Sequence, residues 1–324
     1  MGERLIAVTG IGAIGRGIVA CCLARGFRTT ALVTEADSAD EITSWLRSAL
    51  TRTVREGALP ISALENWESR FETTCELGEL RDASFVIESI PENLDLKRTH
   101  FQALERAVAD DTVLTTNTSA FPIGDIQSAC RRPERVVGMH WSAYGHVTRF
   151  LEITPGPQTD QRSLDRTTEL AEQLGKEPAV LKKDIPGFIC NRLGYAMYRE
   201  AIHLLEQGVA DAATIDRSVR NSFGLWASFC GPLRWIDISG GAAFYARSMA
   251  GVLPSLSDSS KLAPTLKDMI ERDAKGVKDS VGFYQYMAGD AAKWAEGFEA
   301  SIVNTWRFQE GHVPRDADPN TADS

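Results

Sequence analysis

Val8-Thr9-Gly10-Ile11-Gly12-Ala13-Ile14-Gly15-Arg16-Gly17 decides the fold of the first half of this chain. The stretch follows the apolar run Leu5–Thr9 and opens an apolar helical segment, Ala13–Arg25, that stops at Gly26. Glycine at 10 permits a tight turn, and glycine at 12 lets the backbone approach a pyrophosphate. Glycine at 15 lets the helix lie close against the strand. The first helical N–H groups, at Ala13, Ile14 and Gly15, have no partner within the helix and favour an anion. Alone, a G-x-G-x-x-G pattern has little weight; between a strand and a helix it predicts a dinucleotide site.

Outward from this turn, short β-rich runs alternate with helical stretches. Thr29–Thr34, Phe85–Ile90, Val113–Thr116, Arg135–Met139 and Arg149–Ile153 read as strands, with a short late one at Pro178–Leu181. Near-continuous apolar strands separated by helices predict a mainly parallel sheet covered on both faces. About fifty residues separate the second and third of these strands, far more than an ordinary crossover needs. Helical periodicity over Ile42–Glu56 and again over Ile61–Phe71 predicts a helical arm there, at about 36–79. After Pro186-Gly187 strand-like alternation vanishes, and Phe188–Gln207, Ala213–Phe223, Leu262–Lys275 and Ala291–Phe308 read as helices. The expected fold class is therefore α/β: a Rossmann-type, mainly parallel sheet domain over 1–185, then an all-helical domain over 186–310. The polar, proline-containing tail 311–324 is expected to be disordered.

Forty-four acidic side chains against thirty-five basic ones give a formal charge of −9. Such a surface repels polyanions, so nucleic acid is excluded as a general partner. No run approaches the ~20 apolar residues of a membrane span, and the N-terminus has no room for a secretory leader. The six cysteines form no C-x-x-C pair and mostly lie in apolar segments, which fits free thiols in a reducing compartment. A cytoplasmic protein without a metal site is the expectation.

At the end of the second strand the chain reads Leu32-Val33-Thr34-Glu35-Ala36-Asp37. Thr34 stands where a dinucleotide fold usually carries its ribose-binding acid, and Glu35 follows it. No basic residue lies between Thr30 and Glu41 to receive a 2′-phosphate. NAD is therefore expected rather than NADP, with Thr34 and Glu35 at its ribose. Asp37 or Ser38 would also serve as the cap of the next helix.

Five further motifs resemble the 3-hydroxyacyl-CoA dehydrogenase family. Glu88-Ser89-Ile90-Pro91-Glu92-Asn93-Leu94-Asp95-Leu96-Lys97 is similar to its E-x-x-x-E-N-x-x-x-K segment, and Asn117-Thr118-Ser119 to its S-N-T-S turn. Gly138-Met139-His140-Trp141 sits where the family has G-x-H-F, with Glu152 at the family's spacing. Asp184–Arg192 resembles the D-x-P-G-F-x-x-N-R that joins the two domains, and Gly231-Pro232 with Asp237 and Gly240 resembles a motif of the helical domain. The resemblance covers nearly the whole chain. It implies a catalytic set of His140, Glu152, Ser119 and Asn191, with Glu92, Lys97 and Asn117 on the cofactor side. It also implies a homodimer paired through the helical domains, for which Leu225–Phe229 and Phe244–Leu253 supply apolar surface.

The chemistry supports the same residues. Oxidising a secondary alcohol removes the hydroxyl proton as hydride leaves the same carbon, and a base with a pKa near neutrality does this best. His140 ends a predicted strand, at the edge where open α/β sheets bind ligands. Glu152 on the next strand would fix its tautomer and stabilise imidazolium. Ser119 and Asn191 would hold the substrate oxygen.

Two departures bear on the substrate. The family continues past its histidine as F-N-P or a close variant, whereas this chain reads Trp141-Ser142-Ala143-Tyr144-Gly145-His146. The arm carries arginines at 47, 52, 55 and 70 but no lysine, without the concentrated positive charge that CoA phosphates want. The expected substrate is a 3-hydroxyacyl thioester or a small free 3-hydroxy acid. Two alternatives remain: a non-catalytic, crystallin-like NAD-binding protein, and a 6-phosphogluconate or β-hydroxyacid type of dehydrogenase. The second needs a lysine on the interdomain helix, and none occurs from Cys190 to Gln207.

Overall fold

A strand–helix–strand unit of β1 (Leu5–Thr9), α1 (Ala13–Ala24) and β2 (Arg28–Leu32) begins the computed structural model, which describes residues 4–313. The chain continues through α2 (Ala39–Arg55), β3 (Phe71–Thr74), β4 (Phe85–Glu88), α3 (Leu94–Ala107), β5 (Val113–Thr116) and α4 (Ile123–Gln127). It then adds β6 (Val136–Trp141), β7 (Phe150–Pro155), α5 (Gln161–Gln173) and β8 (Glu177–Val180). The eight strands form one sheet in the order β3-β2-β1-β4-β5-β6-β7-β8. Neighbours run parallel throughout except for β6 with β7. The strand order reverses between β1 and β4, the place where such sheets open a crevice for a ligand.

Alternation along the strands covers both faces of the sheet. Ile6, Val8, Phe85, Ile87, Val137 and Met139 pack with α1 in one apolar cluster. Ala7, Val86, Leu114 and Val136, their neighbours in sequence, pack with Phe101 and Leu104 of α3 in the other. The period of two is that of a strand buried from both sides.

The segment expected to be a two-helix arm takes a different form. α2 buries Ile42, Leu46, Ala49 and Leu50 at helical spacing and joins the first cluster. The helix expected over Ile61–Phe71 is replaced by two single 3₁₀ turns, Ile61–Leu64 and Glu68–Arg70, and then by β3. Ile61, Leu64, Trp67 and Phe71 mimic a helical stripe, but the chain reverses at Asn66, whose φ is +52°. Trp67 turns into the core while Ile61 stays exposed. The chain then forms an edge strand, because Phe71–Thr74 pairs with β2.

The chain divides into two compact units between Arg192 and Leu193. Past that point the structure is helical: the rest of α6 (Cys190–Glu206), then α7 (Ala212–Asn221), α8 (Phe223–Ala227), α9 (Pro232–Ile238), α10 (Ala242–Val252), α11 (Pro264–Glu271) and α12 (Asp290–His312). Among its described residues only Glu299 and Val303 are buried. α12 runs on through Gly311 and His312, which were expected to begin the tail. Tail residues from 314 onward lie outside the described residues. No described helix is long and apolar enough to cross a membrane, and all six cysteines are free thiols.

Candidate active site

The glycine turn is built for close approach. Gly10 has φ +84°, and a Cβ there would lie 2.5 Å from the Ser89 carbonyl. A Cβ on Gly15 would collide with the Gly10 oxygen. At Gly12, by contrast, nothing lies within 4 Å of the place a side chain would take. The N-terminus of α1, with its unpaired N–H groups at Ala13, Ile14 and Gly15, therefore opens onto free space lined by backbone. These residues fit the pyrophosphate of a dinucleotide.

At the end of β2, Thr34 donates both its backbone N–H and its hydroxyl to Asp37 Oδ2, each at 2.8 Å. The Thr34 amide and hydroxyl hold the Asp37 carboxyl below its usual range, and the Arg16 guanidinium adds to this. Arg16 is anchored in the glycine turn, its Nε donating to Ile11 O at 3.2 Å. Ser38 alone caps α2, accepting from Glu41 N. Glu35 points into solvent.

Beyond β4, a buried ion pair supports the next turn. Lys97 is 1% exposed, and its ammonium donates to Glu88 Oε1 at 2.7 Å and to Ile90 O at 3.2 Å. Glu92 Oε2 stands 3.3 Å from the same nitrogen. Three donors thus meet three acceptors, which is what a buried ammonium requires. Lys97 and Glu92, both expected on the cofactor side, are thus held together by an ion pair. Glu92 Oε1 accepts from the Thr118 hydroxyl at 2.6 Å and from the amides of Ser119 and Ala120 at 2.9 and 3.0 Å. Burial works to raise the Glu92 carboxyl, but Thr118, Lys97 and the two amides outweigh it and hold it low. Asn117 donates to Ser89 Oγ and accepts from Trp141 N at 2.7 Å, locking this turn to β6.

His140 and Glu152 are directly opposed partners across the antiparallel β6–β7 pair. Opposed residues of such a pair share a face of the sheet, which explains the spacing in sequence. The bond from His140 Nδ1 to Glu152 Oε2 is 2.8 Å. Burial would raise the Glu152 carboxyl; the bond to His140 and the Cys190 amide outweigh it and lower it. Being ionised, this carboxylate only accepts, so Nδ1 is a ring nitrogen that carries a proton and Nε2 is the one turned away from Glu152. Glu152 Oε1 accepts in turn from the amides of Ile189 and Cys190 at the start of α6, at 3.0 and 2.8 Å. Asn191, next in sequence, donates to Ser119 O at 2.9 Å. Hydrogen bonds thus join His140 to Glu152 and Asn191 to Ser119, and the peptide link from Cys190 to Asn191 connects the two pairs.

Sequence reasoning missed several supporting residues. The rings of Phe150 and Phe188 flank the imidazole, each with its centroid 5.6 Å away. Phe188 has φ +50° directly after Gly187 at +77°, and these two left-handed residues turn the Ile189 and Cys190 amides onto Glu152. A side chain in that conformation costs about 1–2 kcal/mol. Asp184 accepts from Ile123 N and Gly124 N and ties the interdomain motif to α4. Nothing in one-dimensional spacing distinguishes these roles from ordinary packing. His146 is buried against Trp45 of α2 and lies too deep to meet substrate or solvent.

Two family models match the chain: "3-hydroxyacyl-CoA dehydrogenase, NAD binding domain" over residues 5–185, and the C-terminal domain of the same family over residues 187–286. The chain is 30% identical over 310 residues to 5-formyl-3-hydroxy-2-methylpyridine 4-carboxylate 5-dehydrogenase of Mesorhizobium japonicum, covering 95% of this chain and 99% of that one. It is 32% identical over 255 residues to L-carnitine dehydrogenase of Streptomyces griseus, covering 78% and 75%. A crystal structure of the former type of enzyme, described as an NAD+-dependent dismutase, superposes with a TM-score of 0.86 at 29% identity, covering 95% of this chain and 99% of that one.

Proposed function

Because this chain belongs to the 3-hydroxyacyl-CoA dehydrogenase family of NAD-dependent oxidoreductases, we propose that it interconverts a small 3-hydroxy acid and its 3-oxo form with His140 as acid and base. The observation that carries this reading is the 2.8 Å bond from His140 Nδ1 to Glu152, which leaves Nε2 as the proton acceptor. Bound NAD+ supplies the hydride acceptor. His140 Nε2 takes the hydroxyl proton, and Glu152 steadies the imidazolium that results. Ser119 and Asn191 hold the substrate oxygen while its charge develops. Phe150 and Phe188 keep water from the imidazole. In reduction the imidazolium returns its proton to the nascent alkoxide.

A free acid is favoured over a CoA thioester because the 36–79 segment carries no lysine and three of its four arginines are engaged by neighbours. Arg47 is paired with Glu68 at 2.7 Å, Arg55 with Glu56 at 3.2 Å, and Arg70 donates to the carbonyls of Glu65 and Leu23. The near-complete coverage of the Mesorhizobium japonicum dehydrogenase favours one second reading, an aldehyde substrate. A hydrated aldehyde presents a hydroxyl on the carbon that loses hydride, so the same proton transfer yields a carboxylic acid.

The test is His140→Asn, with NADH binding read by fluorescence and turnover read by absorbance on 3-hydroxy acids, 3-hydroxyacyl thioesters and aldehydes. Binding should persist while turnover falls by about 10²–10⁴-fold. Near-normal turnover in the variant would refute the acid/base role. Silence of the wild type on all three classes would favour the non-catalytic alternative.

A second copy of the chain is proposed to cover the apolar faces of the helical unit. Leu233 is 79% exposed and Met287 78%, with Leu225, Phe244 and Trp294 also on the surface. A unit with two buried residues among those described lacks the apolar burial that holds a domain together.

A further inference from the structure

The family relation assigns the cofactor as NAD, yet Thr34 occupies the position where the ribose-reading acid is usual. The structure supplies a carboxylate there by another route. Asp37 comes three residues later, after a turn closed by its own amide donating to Thr34 O at 3.0 Å. That turn folds the Asp37 side chain back onto the end of β2. Both Thr34 donors fall on Oδ2, so Oδ1 remains to accept a hydroxyl. Thr34 is therefore no substitute for the missing acid; it holds one in place.

β1 and β2 run side by side with Thr9 opposite Leu32, so the glycine turn and the Asp37 turn leave the same end of the sheet. Arg16 lies on α1, and its Nε bond to Ile11 O fixes the guanidinium beside the glycine turn. Its charge reaches the Asp37 carboxylate. Residues 31–40 contain nothing basic, and the guanidinium beside them comes from the first helix instead. Its terminal amino groups are the planar donors that phosphate recognition uses.

We propose that Asp37 and Arg16 form the selector for the 2′ position of the cofactor's adenosine ribose. Asp37 Oδ1 accepts the 2′-hydroxyl, and its negative charge turns away a 2′-phosphate that Arg16 would otherwise hold. Cofactor choice is then set by one carboxylate held against an available guanidinium. Removing the carboxylate's charge exposes a site for the phosphorylated cofactor, where removing an ordinary ribose ligand would merely weaken binding.

The experiment measures dissociation constants of ADP, 2′,5′-ADP and NADH for the full chain by calorimetry, with melting temperature as a check on folding. Wild type should bind ADP more tightly than 2′,5′-ADP. Asp37→Asn keeps an amide oxygen for the two Thr34 donors but loses the charge, and should tighten 2′,5′-ADP by about tenfold, or 1.4 kcal/mol. The double variant Asp37→Asn, Arg16→Gln should lose that gain. A gain below about threefold in the single variant, or one that survives removal of Arg16, overturns the proposal. The proposal rests on the dinucleotide reading of the glycine turn, and the two failures differ. If the wild type binds neither ADP nor NADH, that reading falls and the selector with it. If it binds both but Asp37→Asn leaves discrimination unchanged, the selector alone falls.

Discussion

The sheet unit and the helical unit are built on opposite terms. In the first, two apolar clusters sandwich the sheet, and side chains such as Ile6, Val8, Phe101 and Leu104 are wholly buried. In the second, an amphipathic helix such as α7, capped by Asp211, has no buried residue, and large apolar side chains such as Leu233 and Phe244 stay on the surface. One unit is stabilised by its own interior. The other has the secondary structure of a folded domain with little interior among its described residues, the condition that the proposed second copy would relieve. Local helix signals therefore say little about whether a helix is self-sufficient, since most helical stability comes from tertiary packing.

The largest test of this contrast is Leu233→Asp on α9. Wild type should sediment at twice the 35.5 kDa chain mass at micromolar concentration, and the variant should lose that species entirely. A 35.5 kDa wild type would break the comparison. Next, Phe101→Ala empties a wholly buried site on α3 and should cost about 3–5 kcal/mol in denaturant unfolding. That loss should not change on dilution of the protein.

Acid should weaken the sheet unit in particular. Burial first, then the nearby Lys97, brings His100 down to about 4, and burial with Lys176 and Arg52 does the same for His146. Unfolding returns each imidazole to its usual value of about 6.5, so the unfolded chain binds more protons between those limits. Their contribution is complete above about pH 6.5 and declines as pH falls towards about 4. Replacing both with glutamine should flatten a melting-temperature profile across that window. The smallest effect compares two equivalent caps. Asp160 accepts from Ser163 N and Asp211 from Thr214 N, each at 2.7 Å. Alanine at either should cost about 1 kcal/mol, but only the Asp211 variant's melting should depend on protein concentration.

What the sequence disclosed depended on how far apart the interacting groups lie along the chain. The glycine turn was legible because strand, turn and helix are contiguous. His140 and Glu152 were legible because a short hairpin relates them and their family spacing is fixed. The Ile61–Phe71 helix was misread because four apolar residues at helical spacing cannot reveal the reversal at Asn66. The convergence of Glu88, Ile90 and Glu92 on the Lys97 ammonium was not legible, since nothing in its motif shows it. Arg16 was overlooked because its relation to Asp37 exists only after β1 and β2 are side by side.

The lone antiparallel pair in this sheet has an evolutionary consequence. Since His140 and Glu152 meet through strand register, their encounter does not depend on which side chains the exposed positions between them carry. A slip of one residue in β7 would turn the carboxylate to the opposite side of the sheet and part it from His140. An exposed position such as Ala143 can therefore vary over generations while the imidazole and its carboxylate stand still.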